Sequence, residues 1–163
     1  MQAKKIAAMG LLVALAMVLS WVEQLVPLSV QVPGVKLGLA NLAVIFALYR
    51  LGARASWTVS LLRVALVSIT FGNAYSLWYS LAGAVLSLVV MTLLRRSGRF
   101  SLLGVSVAGA VCHNLGQIAV AAAVLGAASM AYYLPVLLVS GTAAGVCVGA
   151  VAAILVRRIQ IQR

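Results

Sequence analysis

The sequence has no aspartate and one glutamate, Glu23, against twelve lysines and arginines, one histidine and two cysteines in 163 residues. Without acids, this chain alone cannot support a mechanism that needs paired carboxylates or a carboxylate-held Mg²⁺. One histidine and two separated cysteines cannot close a zinc site, and those cysteines supply no disulfide framework. No GxxxxGK[ST] or GxGxxG run is present to cradle a nucleotide phosphate. The expectation is a protein that is not an enzyme and carries no metal or other cofactor. Charge of either sign is scarce: 8% of residues are charged and 65% are hydrophobic, with a mean hydropathy of +1.18. Soluble domains are about 45–50% apolar and about 25% charged, so a water-soluble globule of this length is excluded. The reading is an all-α integral membrane protein, a single domain over residues 1–163.

Long apolar runs are what the sequence does have. A hydrocarbon core about 30 Å thick takes roughly 20 residues of helix. Six segments fit or come close: Ile6 to Leu28, Val35 to Tyr49, Ser56 to Phe71, Tyr75 to Leu94, Leu102 to Leu125 and Tyr132 to Val156. Pro27, Val32–Gly34, Gly52, Gly72-Asn73, Ser97-Gly98 and Gly126 punctuate them. No period-two alternation argues for barrel strands. The second and third segments, at about 1.5 Å per residue, reach only some 22–24 Å. They either tilt into neighbours or stop inside the protein beneath a cavity.

The basic residues orient the chain. Lys4 and Lys5 precede the first span, Arg50 and Arg54 follow the second, Arg95, Arg96 and Arg99 follow the fourth, and Arg157, Arg158 and Arg163 follow the last. With six transmembrane helices these ten fall on one side, which leaves Lys36 on the other and Arg63 within a span. The positive-inside rule then places both termini in the cytoplasm of a multi-pass protein of the cell (inner) membrane. The net charge of +11 is thus a topology signal, not a nucleic-acid surface. Ala14-Leu15-Ala16 resembles a signal cleavage site, but the apolar run continues past it, so the first helix is expected to remain.

Lipid offers no hydrophobic drive for helix association, so small residues at spacing four mark close contacts. Gly141, Gly145 and Gly149 form the strongest such row, continued by Ala153. Gly104, Ala108, Cys112 and Gly116 form another, and Ala3, Ala7, Gly10 and Ala14 mark the first helix. Each row could face a sister helix or a separate membrane subunit, the first helix being the better candidate for an outside partner.

Polar groups inside a membrane are costly and usually line a cavity or meet a partner. Glu23 and Gln24, Lys36 and Asn41, Asn73, Ser76 and Tyr79, and His113, Asn114 and Gln117 all fall toward the outer side, with Arg63 near mid-span. The inner half is nearly all apolar. The expected substrate-binding set is Glu23, Lys36, Asn41, Arg63, Asn73, Tyr79, His113, Asn114 and Gln117, around a pocket open outward and closed below. Each has a plainer reading. Glu23 can neutralise Arg63 or Lys36, His113 and Asn114 can bond to a neighbouring backbone, Lys36 can snorkel to headgroups, and Asn41 and Asn73 can be cap residues. Two cations against one acid suit a small anionic or amphipathic ligand.

Several runs extend these readings: Pro33-Gly34-Val35-Lys36-Leu37-Gly38-Leu39-Ala40-Asn41-Leu42, Leu62-Arg63-Val64, Ser80-Leu81-Ala82-Gly83, Gly109 to Gln117 with its His113-Asn114-Leu115-Gly116-Gln117, and Tyr133 to Gly141. Together they resemble the Gx transporter family, also labelled heptaprenyl diphosphate synthase component I. That family in turn resembles the substrate-binding S components of energy-coupling factor (ECF) importers. The resemblance implies a six-helix S-component-like bundle with an outward ligand pocket, a transmembrane coupling subunit and cytoplasmic ATPase subunits as partners, and docking of the coupling subunit on the first helix at Ala3, Ala7, Gly10 and Ala14. Prenyl chain elongation needs aspartate-rich motifs that hold Mg²⁺, and a chain without aspartate cannot perform it alone. Two functions follow: an importer subunit that captures a vitamin- or isoprenoid-like solute, or a non-catalytic membrane accessory in prenyl diphosphate or quinone metabolism.

Overall fold

The structure is a computed structural model that describes residues 2–25, 37–125, 132 and 134–159. Pro27, Val32–Gly34, Lys36, Gly126 and Arg163, invoked above, lie outside the described residues. The apolar runs fold as six helices among the described residues: α1 (Gln2–Leu25), α2 (Asn41–Arg50), α3 (Ala53–Thr70), α4 (Ala74–Ser97), α5 (Leu102–Leu125) and α6 (Leu134–Arg158). Four of them, α1, α4, α5 and α6, are long and apolar enough to cross a membrane. The 18 residues of α3 carry Arg54 and Arg63 along with several hydroxyls, which lowers its hydropathy.

The second segment departs most from its expected span. Instead of starting at Val35, α2 begins at Asn41 and has 10 residues, about 15 Å of helix. Leu37 to Ala40 approach it as a turn, with Asn41 N–H bonded to Gly38 O at 2.9 Å and Leu42 N–H to Leu39 O at 3.1 Å. Gly38 holds φ +70, a left-handed conformation that glycine alone takes at little cost. The helix therefore starts inside the bundle.

Ala43 to Leu48 of α2 are all buried, as expected of a helix apolar on every side. Val44, Ile45 and Leu48 pack with Leu88 and Met91 of α4, Val105 of α5, and Val148 and Ala152 of α6. On its other flank Ala43, Phe46 and Ala47 pack with Leu12 and Ala16 of α1 and Val59 of α3. These two clusters fill one half of the bundle.

The basic residues gather at that same end. Arg50 donates to Val156 O of α6, and Arg95 of α4 donates to Leu48 O and Tyr49 O. The Arg95 guanidinium also lies 5.1 Å from the centre of the Tyr49 ring. Cations here satisfy carbonyls that the ends of α2 and α6 leave open. Met9 of α1 packs against the cluster with Leu51 and Leu155, which brings the Lys4-Lys5 end of α1 to the same level.

Glycines set the helix separations. Gly141, Gly145 and Gly149 are buried on α6 and face α5, where a Cβ on Gly145 would meet Val107 Cα at 2.7 Å. Ser106 Oγ donates across this seam to Gly145 O at 2.8 Å. Between α4 and α5, a Cβ on Gly116 would lie 2.9 Å from Gly83 Cα. Of the row Gly104, Ala108, Cys112 and Gly116, only Gly116 is buried. Ala3, Ala7, Gly10 and Ala14 are exposed on α1, and a Cβ on Gly10 would meet nothing within 4 Å among the described residues.

Candidate functional site

Because α2 starts halfway through the bundle, space is left above its first turn. All six helices wall this space. It is a cavity of about 110 Å³, lined by Ser20, Glu23 and Gln24 of α1, Leu37, Gly38, Ala40 and Asn41 at the entry to α2, Arg63, Val64 and Val67 of α3, Ser80 of α4, Ala110, His113 and Asn114 of α5, and Gly141 and Ala144 of α6. The apolar body of α2 lies between this cavity and the basic end.

Glu23 reaches across to the α2 entry, where its carboxylate accepts the Gly38 N–H at 2.5 Å. A carboxylate at a helix N-terminal turn is favoured by the local dipole. Arg63 stands opposite on α3, within electrostatic reach of Glu23. Its Nε is shielded and has no hydrogen-bond partner. The cavity thus holds one carboxylate and one guanidinium, part of whose donor capacity is unused. Asn114 is 7% exposed, and its Nδ2 donates to Leu137 O of α6 at 2.7 Å, which leaves its Oδ1 as the free edge of the amide. Asn41 begins α2 at the cavity floor.

The structure brings together Glu23, Asn41, Arg63, His113 and Asn114. It sets the other expected residues elsewhere. Asn73 is exposed and caps α4: its side chain accepts from Ser76 N–H at 2.8 Å while Ser76 Oγ accepts from Asn73 N–H at 2.9 Å. Tyr79 is half-buried on α4 and borders no part of the cavity. Gln117 lies along the α4–α5 seam, its Cγ 3.0 Å from where a Gly83 Cβ would stand. Lys36 lies outside the described residues, and among the described residues the cavity pairs one cation, Arg63, with one acid, Glu23, so the expected surplus of cations is not seen there.

Some lining residues escaped the sequence reading. Ser20 sits one turn before Glu23 and Gln24, and Ser80 continues the Asn73–Ser76 row by one more turn, so helical spacing from a polar neighbour was the available signal. Gly141 reads as a packing residue and is one, but its missing side chain also opens the cavity wall: a Cβ there would meet Asn114 Nδ2 at 2.6 Å.

A sequence profile described as heptaprenyl diphosphate synthase component I matches residues 12–155. The chain belongs to this family. The match runs from the middle of α1 almost to the end of α6 and so includes every helix that walls the cavity. No curated protein and no solved structure matches the chain. The family description names a component of a synthase, and nothing in the cavity supplies the paired acids that prenyl transfer requires.

Proposed function

We propose that this member of the heptaprenyl diphosphate synthase component I family is a solute-capturing membrane subunit of the S-component kind. It crosses the cell membrane six times, with both termini in the cytoplasm, and takes a small anionic or amphipathic vitamin- or isoprenoid-like molecule from the outside. A transmembrane coupling subunit and cytoplasmic ATPases supply the energy that this chain has no module to provide. The observation that carries the reading is the polar cavity, walled by all six helices and stopped from below by the apolar α2. A through-channel would need a continuous polar path, and α2 occupies that path. The cavity is small beside pockets of about 300–1,000 Å³ that enclose drug-sized ligands, which favours a compact solute or the polar head of a longer one.

The test is native mass spectrometry of gently purified protein, followed by a metabolite binding panel and co-purification. A retained small molecule that Arg63→Ala releases, together with recovery of a coupling subunit and ATPases, supports the reading. A protein that binds nothing in the panel and recovers neither partner counts against it. The family description favours a second reading, a non-catalytic accessory of prenyl diphosphate metabolism. That reading requires an aspartate-rich synthase in the pull-down whose activity falls when this chain is removed.

A further inference from the structure

At the basic end, α3 and α4 leave a groove unconnected with the solute cavity. Two hollows of about 260 and 570 Å³ adjoin there and share Ala53, Thr92 and Arg96. Arg95 borders the smaller, while Arg54, Trp57, Val89 and Leu93 border the larger. Three guanidinium groups therefore surround one recess that no acid lines. The N-terminus of α3 opens beside it at Ala53, and Gly52 provides no side-chain cap, so the first-turn N–H groups add to the positive field. Thr92 Oγ1 is shielded and has no hydrogen-bond partner. Away from the arginines the wall turns apolar, with Leu93 58% exposed and Val89 39% exposed.

Cations at one end and an apolar track at the other match an amphipathic anion. We propose that this groove binds an anionic phospholipid of the surrounding membrane. Its phosphate lies between Arg54 and Arg96, and the first stretch of an acyl chain runs along Trp57, Val89 and Leu93. Arg95, held by the Leu48 and Tyr49 carbonyls, contributes fixed charge behind the phosphate. The basic ends of apolar helices lie at headgroup depth, where tryptophan is also favoured, and basic recesses between helices on that face suit anionic headgroups. A zwitterionic lipid brings its own cation into the same field and is disfavoured.

The experiment is native mass spectrometry of the full chain released from micelles that contain phosphatidylglycerol and phosphatidylcholine in equal amounts. Phosphatidylglycerol is expected to be retained preferentially. Arg54→Gln and Arg96→Gln should each lower that retention about fivefold, and the double variant roughly 25-fold. Lys4→Gln/Lys5→Gln removes the same charge from the same end of the bundle and should leave retention unchanged. If the double variant does not fold, the two single variants carry the test. Equal retention of the two lipids overturns the proposal, as does an equal loss in the lysine variant, which would mean diffuse charge. Full displacement of the lipid by inorganic phosphate reduces the groove to an anion site and overturns it too. Unaltered lipid retention in Arg54→Gln/Arg96→Gln, with loss of a co-purifying protein, would make the groove a protein surface and also overturn it.

Discussion

Gly141→Ala would put a methyl group into the wall where α5, α6 and the solute cavity meet. The new Cβ would stand 2.6 Å from Asn114 Nδ2, whereas ordinary contact begins near 3.4 Å. Asn114 would have to yield by nearly an ångström, yet it is 7% exposed and is tied to Leu137 O at 2.7 Å. Moving it sacrifices that bond and leaves a buried amide donor unsatisfied, at about 1–3 kcal/mol. Holding it in place overpacks the seam, at a similar cost of about 1–3 kcal/mol. Whichever way the seam responds, the expected loss of stability is about 1–3 kcal/mol, read by equilibrium unfolding of the purified protein in mixed micelles. Adding Asn114→Ala removes the obstructing amide, so the double variant should lose less than the sum of the singles by about 1–2 kcal/mol. Because both residues line the cavity, ligand retention should fall in Gly141→Ala as well. A Gly141→Ala protein within about 0.5 kcal/mol of the parent, or strict additivity with Asn114→Ala, would refute the packing argument.

Three more outcomes follow from the site and its supports. Arg63→Gln should weaken retention of an anionic solute at least tenfold, about 1.4 kcal/mol, and Glu23→Gln/Arg63→Gln should regain stability lost in either single variant. Unchanged retention in the double variant would leave the pair a purely structural one. Gly38→Ala forces a side chain into φ +70 and should cost about 1–2 kcal/mol while loosening the first turn of α2, measurable as faster amide exchange at Asn41 and Leu42. Arg95→Lys should destabilise the basic end by about 1–2 kcal/mol, since one ammonium cannot reproduce the fork that serves two carbonyls and stacks on Tyr49. A thermal midpoint for Arg95→Lys equal to that of the parent would contradict this.

The sequence foretold α4, α5 and α6 to within a few residues, because the length of an apolar run is a local property. It also foretold which ends carry the arginines. The start of α2 was less legible: Val35 to Tyr49 reads as one apolar stretch, and only the Gly38 turn, held by a carboxylate fifteen residues away on α1, shows that the helix begins at Asn41. At the site, Glu23, Asn41, Arg63, His113 and Asn114 could be picked out because ionisable and amide groups are conspicuous in apolar spans. The same conspicuousness brought in Asn73, Tyr79 and Gln117. Asn73 spends its side chain on its own helix end, and Tyr79 on α4 and Gln117 on α5 are not among the residues that line the cavity. Ser20 is not singled out by the sequence, and Ser80 and Gly141 stand out only in a family run or a packing row, because serine and glycine in a lipid-facing sequence carry no mark of direction.

Composition and run length by themselves determined that this chain is helical and apolar, that its cations concentrate at one end, and that it lacks the acids for metal-assisted chemistry. Those properties depend on residue type and local spacing alone. Only the tertiary structure decided which face of each helix looks inward, since inward and lipid-facing sides are equally apolar and leave little amphipathic signal. It also decided that α2 starts halfway through the bundle and leaves a cavity above its first turn, because that depends on a glycine turn anchored by a distant glutamate.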